Sequence, residues 1–399
     1  MKDLLQRIRI LDLADEKASF GSKLLADLGA CVIKVEKPGG DPSRSIGPFL
    51  GNSPHPERSL FFYYNNTNKR GITLNLEHPG AKEIFFKLVK SVDVVVESFS
   101  PGHLKKLGLD FEILKGINPQ LILVSVTGFG QNGPRNQFQS CDLVASAYGG
   151  QMYVSGSPTA SPLKSFGEQS YYTASLHAAI GILLGLRKRV HSGKGEHIDI
   201  SLQEAVVSTL DHVMVRYFYE NTIPRRRGSL HWDNSFCILR CKDGHILLTP
   251  FQQWETLVGW MDSEGMAEDL KEEKWREEEY RLRNSGHIIE VLHRWTKTHT
   301  TQELFELGQL MRFPWAPVYS PGQVLESPQL KARGFFIDVA HPETCTFFKY
   351  PGMPYQFGDS LMKRWKRAPV IGEDNVQVYQ KELGLTEKQI ERLYSIGVI

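Results

Sequence analysis

Residues 9–36 read RILDLADEKASFGSKLLADLGACVIKVE. Residues 9–13 have the composition of a strand. Residues 20–29 place Leu24, Leu25 and Leu28 on one apolar stripe with Gly29 at the close, which predicts a helix. Residues 31–36 (CVIKVE) form a second apolar run. A strand, helix and strand joined this closely imply parallel pairing through a right-handed crossover. The alternation continues, with strands predicted at 71–75, 92–97 and 121–126 and helices at 79–91 and 111–118. The run VDVVVE at 92–97 is nearly all apolar, as a sheet covered on both faces requires. The first 130 residues therefore predict a doubly wound α/β layer.

Beyond that layer, residues 171–190 predict a long helix, broken at Gly193–Gly195, followed by a strand at 197–201 and one helix over 203–220. The run PRRRG at 224–228 reads as a linker or exposed loop. Residues 235–248 predict a hairpin turning at Lys242-Asp243-Gly244. Residues 253–311 read as mostly helical, and the alternating charges of 262–283 as a solvated helix face. The last segment, 314–399, reads as short strands with a closing amphipathic helix near 386–396.

The chain has 399 residues, which predicts two domains. A net charge of +2 gives no footing for nucleic acid or an anionic membrane surface. Five cysteines, an odd number, fit reduced thiols in a cytosol. Cys237 and Cys241 have no second Cys/His pair nearby, so buried thiols are expected there and no metal site. The N-terminus lacks the apolar core of a signal peptide. The most apolar stretch, 178–186, falls well short of the roughly 20 residues of a spanning helix, so a soluble protein with a buried core helix is expected.

Residues 121–150, LILVSVTGFGQNGPRNQFQSCDLVASAYGG, contain Gly128-x-Gly130-x-x-Gly133 after a strand. A dinucleotide site needs a helix opening on the third glycine and an acid about 20 residues on. Here Pro134 and a polar run follow, and no Asp or Glu lies near position 153. That pattern is set aside. Instead FGQNGP followed by DLVASAYGG resembles the class III CoA-transferase family, which also holds acyl-CoA racemases and hydratase-like members. Further motifs agree in order and spacing: LLADLGACVIKVEKPGGDPSR (24–44), NNTNKRGITLNL (65–76), VVVESFSPGHLKKLGL (94–109), LLGLRKRVHSGKGEHIDISLQEA (183–205), SPQLKARGFF and RAPVIGEDN.

The resemblance implies an α/β fold with a large Rossmann-like domain built from both chain ends. It spans 1–205 and 326–399, with a smaller α+β domain at 225–325 that sets acyl specificity. It also implies an interlocked dimer. It implies an enzyme that moves CoA from an acyl-CoA donor, such as succinyl-CoA, to a small carboxylic acid, with the CoA thioester as substrate and no permanently bound cofactor. The family's nucleophile is an Asp in a Gly-Asp motif before a long helix. This chain has Gly167-Glu168 there. Glu168 precedes the helix, whose dipole favours a carboxylate by roughly 0.3–1 kcal/mol. Gly167 allows close approach of substrate, and neighbouring N–H groups are candidates for holding an oxyanion.

Asp142 is the second catalytic candidate. Racemases of the family carry a His-Asp pair here, whereas this chain has Cys141, which argues against two-base racemisation. By the resemblance, Lys37, Asn68, Lys69, Arg70, Ser98, Phe99 and Lys106 lie along the CoA, with basic side chains suited to its phosphates. The turn Asp15-Glu16-Lys17-Ala18 replaces a small-residue turn beside the cofactor. His231, Trp232, Phe251, Gln252, Trp254 and Trp315 are candidates for the acyl pocket or for core. Three readings stay open: transferase with Glu168 as nucleophile, a hydratase or lyase using Glu168 as acid or base, and a weakly active subunit paired with an Asp-bearing paralogue, so homodimer and heterodimer both remain. Neither a nucleic acid nor a membrane partner is expected, and the compartment expected is the cytoplasm.

Overall fold

A computed structural model describes residues 4–231, 236–357 and 365–399. Six strands, β1 (Arg9–Asp12), β2 (Cys31–Glu36), β3 (Arg70–Thr73), β4 (Val94–Glu97), β5 (Ile122–Thr127) and β6 (His197–Ser201), form one parallel sheet ordered β3-β2-β1-β4-β5-β6. This is the doubly wound order, in which the chain reverses direction of growth between β1 and β4. The apolar run in β4 splits by face. Val94 and Val96 pack beneath helices Ser19–Asp27 and Gln169–Ser192, and Val95 packs against Ala81–Lys90 on the other side. The two upper helices touch closely: a Cβ at Gly21 would sit 2.6 Å from the Ser175 carbonyl oxygen.

The C-terminal segment returns to seal the edge strand β3. Gly71 N–H donates to Asp374 Oδ2 (2.8 Å), Thr73 N–H to Asn375 Oδ1 (2.9 Å), and Tyr379 donates its hydroxyl to the Thr73 carbonyl (2.6 Å). A side chain at Gly71 would bring its Cβ within 2.7 Å of Pro369 Cβ, so glycine is what allows the return segment to lie against the strand. An open strand edge is a template for unwanted pairing, and here the chain's own end occupies it.

The chain divides into two compact units. One comprises residues 1–152, 164–222 and 333–399, and includes the antiparallel pair Phe336–His341 and Thr346–Pro351. The other comprises 153–163 and 223–332, so it takes an eleven-residue piece well ahead of position 225. This second unit holds a four-stranded antiparallel sheet made of Leu230–His231, Phe236–Arg240, His245–Leu248 and Ala316–Pro317. Its core is rich in tryptophan, with Trp254, Trp275, Trp295 and Trp315 all buried.

Two helix expectations change. The helix over 203–220 is two helices, Leu202–Val207 and His212–Glu220, because Asp211 sits at φ +45° between them. Residues 262–283 are not one solvated helix face. They form short turns at Glu268–Lys271 and Glu273–Arg276 before helix Glu278–Arg283, and Leu270 and Trp275 point into the core. Charge alternation hid those two anchors. Among the described residues no helix is long and apolar enough to cross a membrane. Replacing Asn375 by Ala leaves the buried Thr73 N–H without its acceptor, and is expected to cost about 1–3 kcal/mol in denaturant unfolding of the large unit.

Candidate active site

Strands β1 and β2 end in charged residues that are buried and paired with buried cations. Asp12, the last residue of β1, accepts from Lys69 Nζ (2.7 Å), Ser22 Oγ (2.6 Å) and the Ala14 N–H (3.0 Å). Lys34 of β2 donates to Asp41 Oδ2 (2.8 Å) and to the Ala14 carbonyl. Burial opposes the Lys34 charge, but Asp41, Asp12 and Glu36 outweigh it and raise its pKa. Glu36, the last residue of β2, binds Arg44 through both oxygens at 2.6 and 2.8 Å, and the guanidinium lies 3.7 Å over the Phe62 ring. Removing one member of such a pair strands its partner, at a cost of about 3–5 kcal/mol. The floor is therefore rigid.

Above this floor, at the carboxyl ends of β1 to β4, lies a cavity of about 320 Å³ lined by Leu13, Asp15, Lys37, Leu74, Phe99 and His103, among others. In open α/β sheets ligands bind in this crevice. Asp15 and Ser98 close the gap between β1 and β4: the Asp15 N–H donates to Ser98 Oγ (2.9 Å), which donates to Asp15 Oδ1 (2.6 Å). Lys37 stands on the rim, exposed, paired with Glu77 at 3.0 Å. Glu97, the last residue of β4, is buried and accepts the Phe99 N–H (2.7 Å). Burial pushes its carboxyl up to about 7, against the pull of Ser125 and that N–H.

A second cluster sits where helices Asp142–Tyr148 and Gln169–Ser192 begin. The buried Asp142 carboxylate accepts from the Ser170 N–H (2.8 Å) and from Ser170 Oγ, and pairs with Lys164 Nζ at 2.7 Å. Lys164 also donates to the Gly167 carbonyl (2.5 Å). Gly167 lies at φ +77°, the left-handed region that favours glycine, and Glu168 follows as the cap residue of the long helix. Burial raises the Glu168 pKa, Asp142 raises it further, and Lys164 opposes both. The ionised carboxylate that the dipole argument anticipates is thus held back first by burial and then by Asp142. The Ser170 N–H, one of the amides near the motif, is already spent on Asp142. Tyr171 lies within charge range of Glu16, Cys141 and Asp15 and takes a hydrogen bond from the Asp142 backbone, so the acidic turn at 15–17 flanks this cluster.

The sequence-predicted residues divide accordingly. Lys37, Ser98 and Phe99 line the cavity. Lys106 is exposed on the short helix His103–Lys106, which begins with the cavity residue His103. Lys69 is buried, with all three protons directed to Asp12, Ser19 O and Asn66 Oδ1 at 2.7–2.8 Å, and burial pulls its pKa down to about 8. Asn68 bonds Asp27 (2.6 Å) and the backbone of Lys366. Arg70 bonds Glu382 (2.6 Å) from the far end of its strand. These three tie the fold together rather than face the cavity.

Gly167, Glu168 and Asp142 are together in the second cluster. Trp254 and Trp315 are core residues of the second unit, Phe251 packs against that core, Gln252 is exposed, and Trp232 lies outside the described residues. Glu97, Lys164 and His103 were not singled out from the sequence. A lone carboxylate closing the apolar run at 94–97 was the available signal for Glu97. The loop after β5 has no open anion nest: the Gln131 N–H donates to Asp199 Oδ2 (2.8 Å), and no helix opens on Gly133. Cys237 and Cys241 are buried free thiols, pushed up to about 12 and about 11, chiefly by burial.

A doubly wound sheet with a crevice above β1 to β4 hosts many chemistries, so the class of protein comes from the comparisons with known proteins. The model of CoA-transferase family III matches residues 5–375. The chain is similar to the succinyl-CoA:(R)-benzylsuccinate CoA-transferase subunit BbsE of Thauera aromatica, with 33% identity covering 98% of this chain and 97% of that one. It is similar to human succinyl-CoA:glutarate CoA-transferase, with 30% identity covering 99% and 90%. A solved CAIB/BAIF family protein from Brucella suis superposes with a TM-score of 0.84 at 30% identity, covering 96% of this chain and all of that one. The chain belongs to CoA-transferase family III and is a CoA-transferase.

Glu97 gives a signed prediction. Its folded pKa near 7 exceeds its unfolded value, so the native state holds the proton more tightly. Its contribution favours the fold in acid and declines as pH rises from about 4.5 to 7. The difference amounts to about 3 kcal/mol. Glu97→Gln is expected to match the wild type in thermal stability at pH 5 and to exceed it at pH 8, in a paired series of melting curves.

Proposed function

We propose that the chain holds a CoA thioester over the carboxyl ends of β1 to β4 and passes CoA to a small carboxylic acid by covalent catalysis at Glu168. The observation that carries this reading is the Asp142–Lys164–Glu168 cluster at the head of the long helix. The Glu168 carboxylate attacks the thioester carbonyl. The C–S bond breaks, CoA leaves as thiolate, and an acyl-glutamyl anhydride forms. The thiolate then attacks the glutamyl carbonyl, releasing the donor acid and leaving a glutamyl-CoA thioester. The acceptor carboxylate repeats these steps in reverse, and one negative charge is conserved throughout. The CoA thioester is substrate, and no resident cofactor is assigned. Succinyl-CoA, for which both relatives are named, is the first donor to test.

Lys37 on the cavity rim, with Ser98 and Phe99 on its wall, is assigned to CoA, and Lys106 to its phosphates. Five free thiols support the cytoplasm as the compartment. Exposed Leu176, Ile180, Leu184 and Val190 on the long helix support assembly with a second subunit, of this chain or a paralogue; the interlocked arrangement rests on the family resemblance alone. The raised pKa of Glu168, together with the subunit status of the Thauera relative, favours a second reading: a partner chain performs the faster chemistry and this chain assists it.

Incubation with succinyl-CoA, followed by peptide mass spectrometry, is expected to yield a hydroxylamine-sensitive CoA adduct on the Glu168 peptide. The adduct is lost in Glu168→Gln and retained in Glu168→Asp. No adduct from the isolated chain across a panel of thioesters, with one appearing once a paralogue is added, selects the paired-subunit reading. Because the Glu168 pKa is raised, adduct formation falls as pH drops through it. Lys37→Ala is expected to raise the Kd for CoA about tenfold in calorimetry, the loss of one charge-assisted bond.

A further inference from the structure

A nucleophilic carboxylate beside another buried carboxylate is electrostatically awkward. Two like charges in one site drive one of them to keep its proton. Asp142 holds its place through the Ser170 N–H and hydroxyl, so it is the fixed member of the pair. Glu168 is the member that must lose its proton to react. What makes this tolerable is a cation reaching both sides. Lys164 Nζ lies 2.7 Å from Asp142 Oδ2 and 2.5 Å from the Gly167 carbonyl, one residue before Glu168. Its side chain is only one quarter exposed, so its charge is incompletely screened.

We propose that Lys164 is a positioning residue for Glu168: it ties the Gly167 backbone to Asp142 and supplies the positive charge that allows both carboxylates to be ionised together. The proposal rests on the reading of Glu168 as nucleophile. The mechanical half follows from the left-handed turn at Gly167. The ammonium grips that turn's carbonyl and so fixes where the next side chain leaves the backbone. The electrostatic half follows from the surroundings. Around Lys164 the charged or titratable neighbours are Asp142, Glu168 and Cys141, and these outweigh its burial to raise its pKa, so it stays charged. Around Glu168 they are Asp142 and Lys164, with Tyr172 of the long helix also within range. Lys164 is thus the only cation among the groups that set the charge of Glu168 among the described residues.

The test is the pH profile of adduct formation from succinyl-CoA, read by mass spectrometry in single turnover, for the wild type and for Lys164→Met, Lys164→Gln, Lys164→Arg and Asp142→Asn. Removing the cation moves the profile toward alkaline pH: Lys164→Met and Lys164→Gln are about tenfold slower at pH 6 and recover toward the wild type at pH 9. Lys164→Arg keeps the charge and restores the profile. Asp142→Asn keeps an acceptor for Ser170 and moves the profile toward acid. Combined with Lys164→Met it returns the midpoint toward the wild type. A uniform loss at every pH, unrescued by Arg, overturns the proposal and leaves Lys164 a structural residue.

A second readout separates this from failure of the nucleophile reading. Titration of the Glu168 carboxyl by carbon-13 NMR, assigned with Glu168→Gln, needs no turnover. If the wild type forms no adduct at any pH, the nucleophile reading fails, while a midpoint that rises in Lys164→Met and Lys164→Gln still upholds the electrostatic link. An unmoved midpoint in both variants overturns it, whether or not adduct forms.

Discussion

The buried pair of Asp12 and Lys69 is the constraint on which the large unit depends. Asp12 ends the central strand β1, and Lys69 arrives from just before the edge strand β3. Their contact fixes the first crossover helix as well, because Lys69 also bonds the Ser19 carbonyl and Asp12 takes the Ser22 hydroxyl. Three elements thus meet at one ion pair that has no access to water. Such a pair stabilises little relative to an apolar substitute, yet breaking it is costly, so it specifies arrangement more than it adds strength. Lys34–Asp41 and Arg44–Glu36 repeat the device one strand over and hold the turn that borders the crevice.

This polar floor explains which parts of the site the sequence made legible. Strand β2 runs from Cys31 to Glu36 as its apolar composition required, and the crossover topology followed from its spacing to β1. Gly167-Glu168 and Asp142 were singled out through the family resemblance, and the structure brings them together where two helices begin. The resemblance set Asn68, Lys69 and Arg70 along the CoA, but spacing alone cannot say whether a side chain turns inward to a carboxylate or outward to a phosphate. That depends on a partner far away in sequence: Asp27 for Asn68, Asp12 for Lys69, Glu382 for Arg70. Lys164 was invisible for the same reason. Its meaning comes from Asp142, and nothing local marks the pairing. Charge alternation misled at 262–283 because Leu270 and Trp275 are too widely spaced to register as an apolar stripe.

The site also divides its work between rigidity and charge. Asp142 is held by a backbone amide and a hydroxyl, donors that do not titrate in the working range. Glu168 is set by charges and by burial, which respond to pH. A carboxylate pinned by two hydrogen bonds beside one set by burial and charge gives the cluster a built-in asymmetry.

The sealing of β3 by the chain's own end has a consequence for how the protein is made. Thr73 waits for Asn375, 302 residues later, and Gly71 for Asp374. A ribosome emitting roughly 5–20 residues per second leaves that strand edge open for tens of seconds after it has emerged. Throughout that interval the nascent sheet presents an unpaired edge. The second unit, whose strands between 230 and 317 are close in sequence, completes its own core before the large unit can close. Birth order and spatial order are therefore inverted: the segment that begins the fold is the last to be finished.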